Sequence, residues 1–116
     1  MDKTIIQKPW GDFVQFCHNE QCTVKILNVK ANEELSLQYH NNRDEFWKIL
    51  EGEASIIIGD ITKQGKKGDE FFIKRLEKHR IRTSDSDVSI LEVSFGEFDE
   101  NDIVRLEDKY DREKTD

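Results

Sequence analysis

The chain has 116 residues, enough for one domain with one core, and it is polar: 37% of its residues are charged, 35% are hydrophobic, and the formal net charge is −7. That acidity argues against a nucleic-acid binder, which carries a basic surplus, and leaves room for an anionic small molecule in a locally positive pocket. No apolar run is long enough to cross a membrane, and Met1-Asp2-Lys3-Thr4 lacks the charged-then-apolar pattern of a secreted leader, so the expectation is a cytoplasmic protein with neither a membrane nor a nucleic-acid partner.

Along the chain, strand signals dominate. Strands are predicted over Phe13–Cys17, Thr23–Val29, Glu34–Tyr39, Glu45–Leu50, Ala54–Ile58, Glu70–Lys74, His79–Thr83 and Val88–Phe95. Turn formers separate them at Glu51-Gly52-Glu53, Gly59-Asp60, Gly65 to Gly68, and Ser84-Asp85-Ser86-Asp87. Many short strands at close spacing predict an all-β sandwich or barrel. A barrel suits so polar a chain, because alternate residues can face in while the rest stay wet. From Asp99 to Tyr110 the period changes: Ile103, Leu106 and Tyr110 are spaced for one short helix, with Asp99 or Asn101 as its cap. The tail, residues 111–116, is polar. No internal repeat or linker divides the chain, so residues 1–116 read as a single domain.

Cys17 and Cys22 flank His18-Asn19-Glu20-Gln21, the pattern of a hairpin turn with a thiol on each arm. A disulfide is not expected there in a reducing compartment. A Cys-His-Cys zinc site lacks a nearby fourth ligand. Two unremarkable thiols are the expectation.

The chemistry is concentrated between Leu35 and Gly52. Gln38 and His40 alternate on a strand and so share a face. If Glu45 points inward, so do Trp47 and Ile49, while Lys48 points out. If His79 points inward, so does Ile81, while Arg80 and Arg82 point out. One amide oxygen, two imidazoles and one carboxylate can together hold a divalent metal. Each residue taken singly is an ordinary strand residue, and only a fold can bring residue 79 to residue 40.

The run from Gln38 to Gly52 resembles the first cupin motif, with Gln38 in the place of its first histidine, followed by His40, Glu45 and Gly52 at that motif's spacing. Gly68 and His79 fit the second cupin motif. More narrowly, Pro9-Trp10-Gly11, Leu35 to His40, Arg43, Glu45, Trp47, His79-Arg80 and the tail Asp102 to Tyr110 resemble the cupin domain of type II phosphomannose isomerases, a domain that often follows a mannose-1-phosphate guanylyltransferase domain. The resemblance runs from about Pro9 to Arg112. It implies a double-stranded β-helix, or jelly-roll barrel. It also implies interconversion of mannose 6-phosphate and fructose 6-phosphate, with one divalent metal: zinc first, or manganese, iron, cobalt or nickel.

Carried over by position, the resemblance makes Gln38, His40, Glu45 and His79 the metal ligands. Arg105 becomes the cation at the barrel mouth, with Lys25 as a second catalytic candidate, and Arg43 joins Arg105 in binding the sugar phosphate. A homodimer is also implied, for which Phe46, Leu50, Ile57 and Phe71 or Phe72 are candidate outer-face residues. The chain contains no Gly-rich phosphate loop of the nucleotidyltransferase kind, so nucleotidyl transfer is not expected of it.

The sequence departs from the family pattern in several places. Asn41 and Asn42 stand where further histidines are common, and Phe46 replaces a histidine. The run Lys74 to Lys78 replaces a Pro-x-Gly turn, and Asp111 replaces a glycine. If a missing histidine carries the proton, isomerisation fails. That keeps two other readings open: a non-catalytic metal- or sugar-binding cupin that assists nucleotide-sugar and polysaccharide biosynthesis, and oxygen chemistry at iron. Lys74, Arg75, Lys78, Arg80 and Arg82 form a basic cluster beside His79, either a solvated hairpin or an entrance for an anionic ligand.

Overall fold

Short alternating runs cannot bury themselves singly; they pair edge to edge and stack face to face. The structure, a computed structural model describing residues 3–110 and 112, is built in that way, with no α-helix among the described residues. Its strands are β1 (Thr4–Lys8), β2 (Gly11–Gln15), β3 (Cys22–Val29), β4 (Leu37–Tyr39), β5 (Asp44–Glu51), β6 (Ala54–Ile58), β7 (Ile61–Gly65), β8 (Glu70–Ile73), β9 (His79–Thr83), β10 (Val88–Phe95) and β11 (Val104–Glu107). One sheet has the order β3-β10-β5-β8, the other β11-β4-β9-β6-β7, and β1-β2 is a separate hairpin. The expected ends of β6, β9 and β10 are the observed ones. β1, β7 and β11 add to the expected set.

The inner faces of the two sheets meet in one core. Val29, Trp47, Ile49, Ile73, Val88 and Ile90 from the first pack on Ala54, Ile56 and Ile81 from the second. Each fully buried isoleucine stabilises the fold by roughly 1.5–3 kcal/mol. Register then makes the barrel two-ended. On β10, Val88 and Ile90 face the core, and the next residues of the same phase are Glu92 and Ser94. Opposite them in register lie Leu27 and Ile49 at Ile90, then Lys25 and Trp47 at Glu92, then Thr23 and Glu45 at Ser94. One end of the barrel is dry and the other end of the same faces is polar.

Among the described residues the expected C-terminal helix is not formed. Val104–Glu107 is a strand paired with β4, with Val104 opposite Tyr39 and Arg105 opposite Gln38. The 3-and-4 spacing of Ile103, Leu106 and Tyr110 loses to an open strand edge. Pairing there satisfies the backbone groups of β4, which a helix could not do. Of the tail, residues 111 and 113–116 lie outside the described residues.

The dimer-face candidates are mostly covered by the chain itself. Phe46 is buried, its ring 5.2 Å from that of Phe16, and Phe71 packs on the core. Leu50, Ile57 and Phe72 are half-buried. The exposed apolar residues of this sheet are instead Val24 (59%) and Ile26 (57%) on β3. Pro9-Trp10 forms the tip of the β1-β2 hairpin, whose other end is tied by the 2.6 Å Lys3–Glu70 ion pair.

Gly52 closes the β5-β6 turn with φ +83°, and a Cβ there would lie 2.2 Å from the Asp87 carbonyl oxygen. Gly52→Ala therefore carries both backbone strain and a backbone clash. It is expected to lower stability by about 1–3 kcal/mol, read as a lower urea midpoint at unchanged slope. An unchanged midpoint would refute the close approach of the two turns.

Candidate metal centre

Three buried side chains converge at the polar end of the barrel. His40 follows β4, Glu45 lies on β5, and His79 opens β9 opposite Gln38. One ligand atom from each lies within 4.8 Å of the others. His40 Nδ1 donates to the Asp102 carbonyl at 2.6 Å, and His79 Nδ1 donates to the Glu77 carbonyl at 2.8 Å. Each backbone acceptor fixes the tautomer and leaves Nε2 with its lone pair. Those two Nε2 atoms face the Glu45 carboxylate, 3.5 Å from Oε2 and 3.6 Å from Oε1 respectively.

Burial depresses both imidazole pKa values below the ordinary histidine value, against the upward pull of Glu45, so both rings are neutral at neutral pH. Glu45 is only 2% exposed. Burial alone would push its carboxyl up, but a hydrogen bond from Glu92, the neighbouring His79 and His40, and a hydrogen bond from Arg43 hold it below the usual range. Glu92 takes the opposite course: burial, and its hydrogen bond and proximity to Glu45, push it up to about 8. The pair behaves as one carboxylate and one carboxylic acid.

The donor set fits a divalent cation. Two imidazole lone pairs and a carboxylate point at one another with no proton between them, an arrangement that is repulsive unless a positive charge is shared among them. Arg43 supplies part of that charge here. Its Nε donates to Glu45 Oε2 at 3.1 Å, and its Nη2 donates to His40 Nε2 at 3.3 Å. Gln38 faces the same cavity, its amide nitrogen directed at the Ser36 carbonyl at 3.4 Å.

The cavity around this cluster has a volume of about 260 Å³. Lys25 and Arg105 both line it, as does Arg112, a residue given no role in the sequence reading. Lys25 pairs with Glu100 at 2.8 Å and sits 4.0 Å from the centre of the Phe98 ring. The sequence leaves Lys25 open between a cavity cation and a solvent-facing strand lysine. The strand turns Lys25 in and its two apolar neighbours out. Glu92 and Ser36 also line the cavity without having been singled out. The signal for Glu92 was available, as a charged residue in the inward phase of Val88 and Ile90.

Asp102 explains why the tail matters. Its carbonyl holds His40, and its carboxylate accepts from the backbone N–H groups of Asn41 and Asn42, both at 2.9 Å. Asn41 and Asn42 are exposed, and Phe46 lies on the outer face of the sheet. None of the three lines the cavity. The basic cluster beside His79 is dispersed: Arg75 pairs with Asp44, Arg80 with Glu107 and Arg82 with Glu34, and none of its members lines the cavity.

Residues 2–108 match the family described as mannose-6-phosphate isomerase C-terminal. The chain belongs to that family. It is 32% identical over 108 residues to mannose-1-phosphate guanylyltransferase 2 of Escherichia coli O157:H7, covering 91% of this chain and 22% of that protein. It is also 32% identical over 109 residues to the alginate biosynthesis protein AlgA of Pseudomonas aeruginosa, covering 92% and 23%. The chain thus spans less than a quarter of these curated relatives. A cupin protein from Bacteroides fragilis superposes with a TM-score of 0.60 at 23% identity, covering 65% of each chain. The fold of this isomerase-family domain is that of a cupin, as the sequence motifs imply.

The shifted Glu92 sets a pH signature for the metal-free domain. A carboxyl whose pKa is raised on folding contributes stability below its unfolded value of 4.5 that is lost as pH rises through about 8. Glu92→Gln removes that dependence. Relative to the parent, the variant is expected to gain stability progressively between those pH values, read from paired urea titrations. A difference that does not change with pH would contradict the assignment.

Proposed function

We propose that this domain is a metal-dependent sugar-phosphate isomerase that interconverts mannose 6-phosphate and fructose 6-phosphate. The observation that carries the reading is the convergence of two neutral Nε2 lone pairs and the Glu45 carboxylate on one point of a cavity walled by Lys25, Arg43 and Arg105. Family membership supports the same activity. His40, Glu45 and His79 would hold the ion, with Gln38 as the fourth protein ligand. A divalent ion bound there supplies Lewis-acid polarisation of the adjacent C1 and C2 oxygens of the open-chain sugar.

The remaining work falls to the chain's own groups. Arg105 and Lys25, on opposite sheets, offer cations to the phosphate and fix which end of the sugar enters first. Proton movement between C1 and C2 needs a side chain on the cavity wall that can take and return a proton. Glu92, which lines the cavity opposite Lys25 in register, is the candidate for that role. Leu27 and Trp47 close the apolar side of the cavity and keep water from the reacting carbons. Asn41, Asn42 and Phe46, where the chain departs from the family pattern, lie outside this cavity, so the proton carrier is sought on the cavity wall itself.

Metal-reconstituted protein is expected to convert mannose 6-phosphate to fructose 6-phosphate, with turnover lost in His40→Ala. Arg105→Met is expected to raise KM by roughly tenfold or more while kcat falls less, the pattern for a lost charged hydrogen bond to a group remote from the chemistry. Absence of turnover with zinc, manganese, iron, cobalt and nickel would remove the isomerase reading. Retained turnover in His40→Ala would move the chemistry away from this cavity.

A further inference from the structure

Outside the cavity, one pair of nucleophilic side chains remains without a role. Cys17 follows β2 and Cys22 opens β3, and their sulfurs are 2.8 Å apart. The turn that joins them, residues 18–21, is exposed, and Asn19 takes a positive φ of 51° that folds the chain back on itself. Gln21 is anchored by the Gly96 N–H, which donates to its carbonyl at 3.1 Å. Cys22 pairs in register with Phe95, so the two sulfurs sit on the outer face of the sheet, away from the metal cavity. Both are partly exposed, and Cys17 lines an open cleft of about 410 Å³ together with His18, Glu20 and Asp44. The fold therefore brings two reachable thiols into contact beside a space that admits a small molecule.

We propose that Cys17 and Cys22 form a reversible redox pair that closes to an intrachain disulfide by exchange with a low-molecular-weight disulfide. One cysteine, as its thiolate, attacks a sulfur of the small disulfide. That S–S bond breaks, and one small thiol leaves with the proton the cysteine gave up. The second cysteine loses its proton, attacks the mixed disulfide and expels the second small thiol. Two cysteine thiols are oxidised by two electrons, and one small disulfide is reduced to two thiols. Contact with Cys22 pushes the Cys17 thiol up to about 11. The closed bridge would pin the base of the β1-β2 hairpin to the start of β3. It involves no side chain of the metal cavity, so the pair stands or falls independently of the isomerase reading.

The test equilibrates the full chain in buffers of reduced and oxidised glutathione, quenches with acid, and reads intact mass and alkylated thiols, in native buffer and in concentrated urea. The expected result is loss of two hydrogens per chain, with no adduct retained and full reversal by excess reductant. The balance should lie roughly tenfold or more further toward the disulfide in the folded chain than in urea. Cys17→Ser or Cys22→Ser should instead trap a glutathione adduct on the remaining cysteine. Thiols that stay alkylatable throughout, a stable adduct on the parent chain, or bridges only between chains would overturn the proposal. So would an equal balance in urea, which would make closeness in sequence the whole cause.

Discussion

The burial of the Glu45 carboxylate governs this molecule. A charge held so far from water costs several kcal/mol unless neighbours compensate it, and the neighbours here come from three separate stretches of the chain. His40 and Arg43 come from the end of β4 and the loop after it, His79 from β9, and Glu92 from β10. The backbone carbonyls of Asp102 and Glu77 then hold the two imidazoles in the tautomer that aims their lone pairs at that carboxylate. The C-terminal segment, distant in sequence, is required because it supplies one of those carbonyls. Replacing such a cluster with apolar side chains would commonly stabilise a protein. Its presence at the open end of a barrel is therefore better explained by chemistry than by folding.

The rest of the barrel makes that expense tolerable. Each long strand carries apolar inward residues at one end and polar inward residues at the other, and antiparallel register stacks like upon like: Ile90 with Leu27 and Ile49, then Ser94 with Thr23 and Glu45. Stability comes from the dry half, where Ile49, Ile56, Ile81 and Ile90 are fully buried. Space around Gly65 is so close there that a Cβ would lie 2.5 Å from Ile49 Cδ1. Trp47 is the partition between the halves, its ring meeting His79 edge-on with centres 5.5 Å apart.

Much of this was legible in the sequence, and the failures have physical causes. The inward phase of Glu45, Trp47 and Ile49, and of His79 and Ile81, follows from period-two alternation, and the structure has it. On β3 the sequence leaves the phase open, with Lys25 either solvent-facing or turned in. Leu27 and Val29 set the phase, and it turns Lys25 inward. The last segment shows helical spacing, yet pairing with the open edge of β4 decides it as a strand. Arg105 still arrives at the cavity, because its position opposite Gln38 depends on register rather than on helix or strand. The effect of Asn41, Asn42 and Phe46 was not readable at all. Whether a residue beside a ligand lines the same cavity is a property of the folded sheet, and these three do not.

The central claim is that the polar end of the barrel is a single-cation site organised by Glu45. Its most direct test is calorimetric titration of chelator-stripped protein with cobalt, followed in parallel by visible absorption, for the parent chain and for Glu45→Gln. One ion bound per chain, with ligand-field bands that disappear in Glu45→Gln while the fold persists, is the predicted result. No binding by the parent, or binding and spectra unchanged in Glu45→Gln, would contradict it.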